Sequence, residues 1–172
     1  MILYNNAFDL YHTIFRMLHL LSKIEEDKVI EIDRIRIWDY YLLFTNEIFN
    51  IKSTKNKKEY NQLLKKLNIK KNNPYQQIYD QRKTLEKIKP YQLSALNCLA
   101  SYNIIDKEYL LKEEVKINSF DLLKRYTQST GDLSDREKNI IIIMTSFFRD
   151  ISLIGNNGLK ERSNLMESKY DE

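Results

Sequence analysis

A mostly α-helical fold with minor β structure is what this sequence predicts: a helical bundle, with room for a winged-helix-like module. Three observations carry that expectation. Only three Gly and two Pro occur in 172 residues, too few for the turns of a β-sandwich and favourable to long helices. Apolar residues recur at helical spacing in several stretches. Ser134-Asp-Arg-Glu137 reads as a capping box placed just ahead of an apolar run. With 42% hydrophobic and 30% charged residues the chain has material for a core and a solvated surface. Its length fits one domain or two small ones. Three stretches, 1–58, 59–120 and 121–172, stand out and are expected to pack as one compact domain.

The first element is AFDLYHTIFRMLHLL, residues 7–21. On a wheel of 100° per residue, residues 8–24 put Asp9, Thr13, Arg16 and Lys23 on one narrow stripe. Leu10, Ile14, Met17, Leu21 and Ile24 fall opposite, and Phe8, Tyr11, Phe15 and Leu18 fill a second apolar side. His12 and His19 sit on the border. So much apolar circumference belongs in a core or an interface. The next stretch, VIEIDRIRIWDYYLLF at 29–44, is ambiguous. Ile30/Ile32 and Ile35/Ile37 alternate as in a strand, whereas Ile35, Trp38 and Leu42 keep helical spacing. Helix is favoured from about residue 31. Residues 45–58 read as a loop, and EYNQLLKKLN at 59–68 as a helix. Pro74 ends that helix, because the residue before proline avoids the helical region.

Residues 75–89 form another helical candidate. Pro90 suits the first turn of a new helix over 90–102, whose apolar face is Leu93, Leu96 and Leu99. A short polar helix and a strand at Val115–Ile117 follow, an order that resembles part of a winged helix. Behind the capping box, Ile140, Met144, Phe147, Ile151 and Ile154 form one stripe. That predicts a helix over 135–154 with Gly155 at C′. GNNG is a turn, and LKERSNLMESKYDE is a polar tail with helical character.

Several functional classes are disfavoured. The single Cys98 leaves no internal disulfide framework and no cysteine zinc site within one chain. There is no G-x-x-x-x-G-K-[ST] phosphate loop. The first residues, MILYNNAFDL, lack the pattern of a secretory signal. The longest apolar run, 140–148, is shorter than the roughly 20 residues needed to span a bilayer. A cytoplasmic location is expected. Charge is unevenly spread: residues 51–90 hold 12 Lys and Arg against three Asp and Glu. This local excess is larger than the whole chain's +4, so the remainder is net acidic. The run reads either as a solvated connector or as an electrostatic footprint for nucleic acid. The residues for the second reading are Lys55, Lys57, Lys58, Lys65, Lys66, Lys70 and Lys71.

Asp9, His12 and Arg16 are spaced so that their side chains can meet on a helix. A His–Asp pair serves as a base and its orienter in some enzymes. No nucleophile is recognisable beside it, and neither histidine has ligand spacing such as H-E-x-x-H, so a structural role outweighs catalysis or metal binding. Glu31, Asp33, Asp39 and Glu47 offer carboxylates, but Arg34 and Arg36 are interspersed, and local salt bridging is the simpler account. Tyr11 and the Tyr40-Tyr41 pair are either interface anchors or core residues with hydroxyls at the rim.

Three motifs together resemble a family. The chain reads AFD-x-YH-x-x-FR over Ala7–Arg16 and I-x-x-DR-x-RI-x-D-x-YLLF over Ile30–Phe44. It ends GLK-x-R-x-x-LME-x-x-YD over Gly158–Asp171. This is similar to the middle component of bacterial three-component ABC ATPase systems, found in Lamassu-like anti-phage defence loci. Family members often carry Pro after the second motif, where Thr45 stands here. The resemblance implies a small non-enzymatic subunit between an SMC-like ABC ATPase and an effector, often a nuclease, with double-stranded DNA reached through the complex. It implies no catalytic residue, no metal, no cofactor and no membrane. Phe8, Tyr11, His12, Phe15 and Arg16 are the residues expected to meet a partner, Arg16 at the edge of the contact. A free-standing winged-helix DNA-binding protein is the alternative, and a small nuclease stands further behind.

Overall fold

The computed structural model describes residues 6–52, 56–71 and 78–167. A 3-10 turn, Asn6–Phe8, leads into helix α1, Leu10–Leu21. Asp9 starts the helix: it stands at the N-cap and accepts the His12 N–H at 2.8 Å, supplying one of the bonds a helix start lacks. Both halves of the ambiguous stretch then appear. Val29–Glu31 is a strand, β1, and helix α2 runs over Ile32–Leu43, as the helical spacing from about residue 31 implied. A 3-10 segment, Thr45–Asn50, occupies part of the expected loop. Helix α3, Lys57–Lys66, ends in a Schellman motif: Asn68 takes φ +49, its N–H bonds the Lys65 carbonyl, and the Ile69 N–H reaches the Leu64 carbonyl. The expected break at Pro74 lies outside the described residues, as does the start of the 75–89 candidate.

Helix α4 spans Gln81–Ser101 without interruption, and Pro90 lies inside it. The expected new start at Pro90 is therefore wrong. Proline removes one helix N–H, but Pro90 is exposed, so water can meet the carbonyl left without a partner. Helix α5, Lys107–Leu111, is the short polar helix, and strand β2 is Glu114–Lys116. β2 pairs antiparallel with β1, Ile30 facing Val115, and Ile117 forms a bridge with Ile105. β2 thus joins a strand from before α2, and a helix follows it rather than a returning strand. That helix, α6 at Phe120–Ser129, is capped by the Ser119 hydroxyl and has no counterpart among the elements expected from the sequence.

The capping box of Ser134 and Glu137 is present and opens helix α7, Asp135–Ile142. The helix does not reach residue 154. It widens into a π turn over Ile143–Phe147 and stops. Two causes act together. The Thr145 hydroxyl donates to the Ile141 carbonyl at 2.8 Å and the Ser146 hydroxyl to the Ile142 carbonyl, and such back-bonding bends helices. The Arg34 guanidinium then takes the carbonyls of Phe148, Arg149 and Ile151, so these three oxygens are satisfied without a helix. Ile154 is exposed instead of continuing the stripe. Helix α8, Leu159–Ser163, closes the described chain.

Helix α2 is the centre of the molecule. Ten of its residues are buried, from Ile32 to Leu42. Helices α1, α4 and α7 pack on it. One cluster of buried apolar side chains takes members from every stretch, among them Met17, Ile35, Trp38, Leu85, Leu96, Ile140 and Leu159. Fully burying a side chain of this size contributes about 1.5–3 kcal/mol.

Candidate functional site

The most unusual feature of the interior is its charge. Arg16, Arg34, Arg36, Asp39, Glu47 and Arg162 are all buried. Arg16 projects from α1 into α2 and donates through Nε to Asp39 Oδ1 at 2.6 Å and through Nη2 to Oδ2 at 3.3 Å. Asp39 Oδ2 also accepts from Gln92 of α4 at 2.8 Å, and Gln92 in turn bonds the Arg36 carbonyl and accepts from Arg36 Nε. Thr13 accepts from Arg16 Nη2 and donates to the Asp9 carbonyl. Arg36 goes on to Asp33 and Glu86, and Asp33 to Lys160 of α8 at 3.2 Å. The three sequence motifs are thereby joined. Arg16 of the first meets Asp39 of the second, and Asp33 of the second meets Lys160 of the third.

This corrects the placing of Arg16. It is 4% exposed and spends its fork on Asp39, so it is not at the edge of a docking surface. The polar stripe of α1 points inward at Thr13 and Arg16, because Asp39 and Gln92 wait there. The outward side is apolar. Tyr11 is 81% exposed, Phe8 42% and Leu10 36%. Phe8 lies 5.8 Å from the Tyr91 ring of α4, centre to centre. Phe15 is half-buried with its ring edge-on to His19 at 4.7 Å, and His12 is half-buried too. Of the expected partner-binding residues, Phe8 and Tyr11 are open, Phe15 and His12 are partly so, and Arg16 is closed. Tyr40 and Tyr41 belong to the core, where burial pushes both phenols above their ordinary pKa.

The carboxylates do not gather. Glu31 pairs with Arg34 at 2.8 Å and Asp33 with Arg36 at 3.0 Å, the local salt bridging the sequence implied. Burial alone would raise the Glu31 carboxyl, but the Arg34 hydrogen bond and charge outweigh it and hold the group below its usual range. Glu47 stands apart and accepts from the amides of Asn50 and Gln81. Among the described residues no three His, Cys, Asp or Glu side chains stand together to hold a metal ion. No described helix is long and apolar enough to cross a membrane.

The lysine run is largely on one helix. Lys57, Lys58, Lys65 and Lys66 of α3 are exposed, as are Lys70 and Lys71 after it; Lys55 lies outside the described residues. Tyr60 and Leu64 anchor the opposite face. Tyr60 donates to the Ile48 carbonyl at 2.7 Å and meets the Phe147 ring at a tilt and the Phe148 ring edge-on. Sequence reasoning missed Gln92, Tyr91 and the open Leu10, whose surroundings are set by helices far along the chain.

A family model described as ABC-three component (ABC-3C) system Middle Component 5 matches residues 2–171. Comparison with curated proteins and with solved structures gave no match.

Proposed function

The chain belongs to the ABC-three component system Middle Component 5 family, and from that premise we propose that it is a non-catalytic accessory subunit. It docks on an SMC-like ABC ATPase and links it to an effector, a nuclease, in a Lamassu-like anti-phage defence complex. The observation that carries this reading is the open apolar end of α1. Leu10 and Tyr11 in the first turn of α1, and Phe8 in the 3-10 turn just before it, are exposed, and the other side of α1 is fastened by Arg16 to Asp39. A rigid helix presenting aromatics to solvent is what a docking anchor needs, since Tyr and other aromatics dominate interface hot spots. The non-catalytic reading is supported by the way the interior charges are used: Arg16, Arg34 and Arg36 are committed to partners inside the fold.

Co-expression with the neighbouring ATPase gene product tests it. Tyr11→Ala and Phe8→Ser should keep the thermal melt of the wild type and weaken co-purification at least tenfold, a loss of about 1.4 kcal/mol or more. Wild-type recovery of the ATPase by both well-folded variants would remove this face as the docking surface.

A further inference from the structure

We propose that the outward face of α3 is a seat for double-stranded DNA, with two pairs of lysines on the phosphate backbones and Asn61 and Gln62 over the groove between them. The helix shows two parallel rows at i, i+4, i+8 spacing: Lys57, Asn61, Lys65 and Lys58, Gln62, Lys66. All six are exposed. At 1.5 Å per residue the two lysine pairs are about 12 Å apart along the axis, close to the roughly 12 Å width of the B-DNA major groove. The side chains between them are amides, the type that donates to and accepts from base edges.

Four further observations point to a polyanion. First, the ion pairs among the described residues involve none of these four lysines. Glu59 is the one acid on the helix. Second, Lys57 and Lys58 sit in the first turn, where the helix dipole repels cations, and the Asn56 side chain makes no cap bond there. A phosphate at this end would relieve both costs. Third, the face exposes no large apolar side chain: Tyr60, Leu64 and Ile69 are buried. The centre of a protein interface is enriched in aromatics, and this face has none to offer. Fourth, the helix is firmly mounted. Tyr60 is bonded to Ile48, Asn139 donates to the Leu67 carbonyl at 3.0 Å, and Arg136 to the Lys70 carbonyl at 2.7 Å. Lys70 and Lys71 extend the positive surface past the C-terminal end. The face shares no residue with the apolar end of α1, so DNA contact and partner docking are separable.

The full chain, alone and with its co-expressed ATPase, is titrated against a fluorescent 20-base-pair duplex at several salt concentrations. Lys57→Glu/Lys58→Glu and Lys65→Glu/Lys66→Glu should each lower affinity at least tenfold at low salt. Each should also reduce the slope of log K against log salt by about 1.8, at 0.9 per lost phosphate contact. Asn61→Ala/Gln62→Ala should keep that slope and narrow the spread of affinities among duplex sequences. Circular dichroism should match the wild type in all three. The proposal fails if wild type binds no duplex in either form, or if the quadruple lysine variant binds within twofold of wild type. It also fails if that variant keeps its DNA affinity but loses the ATPase, which would make the face an acid-binding protein contact. An RNA duplex bound as tightly as DNA would overturn the groove seat, because the A-form major groove is too narrow to read.

Discussion

Arg16 shows how one side chain can be misplaced by a correct wheel. The wheel grouped it with Asp9 and Thr13, and the structure keeps them together, but the stripe faces the core. A buried pair gains little over apolar packing, whereas breaking it leaves a charge stranded. Arg16→Ala should therefore cost about 3–5 kcal/mol, because Asp39 is fully buried and would keep only the Gln92 amide. Arg16→Met with Asp39→Leu should recover most of that loss; urea midpoints would show it, and a double variant as weak as the single one would contradict the account. His19 carries a second residue-scale expectation. Burial disfavours its charged ring and holds its pKa below 6.5, with the Gly131 carbonyl at 3.0 Å pulling the other way. The unfolded chain, with the ordinary value, therefore takes up the proton first as pH falls. Stability is unaffected by this residue above about pH 6.5, declines below it, and stops declining once the folded ring is also protonated. His19→Gln should flatten that part of the profile, so its melting temperature should drop less than that of the wild type between pH 7.5 and 5.5.

At the scale of elements, what reads locally and what does not separate cleanly. Ser134→Ala should cost about 1 kcal/mol, since both bonds of the capping box are made. That box was legible because its four residues are consecutive. Helix α3 was legible as the EYNQLLKKLN segment, and α2 from the spacing of Ile35, Trp38 and Leu42. Pro90 was not. Its rule is statistical, and an exposed position lets water do what a partner would. Pro90→Ala should consequently raise stability by about 1–3 kcal/mol, and a measured loss would mean that the proline shapes α4 in a way its exposure does not show. The end of α7 was illegible for a different reason. The stripe through Ile151 and Ile154 is genuine in sequence, but Arg34, more than a hundred residues away, claims the carbonyls that a longer helix would need. The open end of α1 was half legible: apolar excess showed in the wheel, and only the packing of α4 and α2 decided that Tyr11 is left outside and Arg16 inside.

For the whole molecule, charge does the joining that a larger core would otherwise do. Helix α2 carries arginines and aspartates that tie it to the rest of the fold: Asp39 to α1 and α4, Arg36 to α4, Arg34 to the turn after α7, Asp33 to Lys160 of α8. These charged residues all belong to the three motifs, so much of each motif is accounted for by how the fold holds itself together, while Phe8 and Tyr11 of the first motif stay exposed. Such wiring leads us to expect that the stretches 1–58, 59–120 and 121–172 unfold as one cooperative unit. Leu159 is the sharpest probe of that. It is fully buried on α8, at the far end of the chain from α1, and Leu159→Ala should cost about 2–5 kcal/mol. If the molecule is one unit, this variant and Arg16→Ala will each shift a single urea transition to lower midpoint with the slope m unchanged. Fluorescence of Trp38 on α2 and helical circular dichroism should then move together in both. A second transition in Leu159→Ala, with Trp38 still reporting the native state, would show that the C-terminal stretch melts by itself and that the Asp33–Lys160 link does not couple it to the rest.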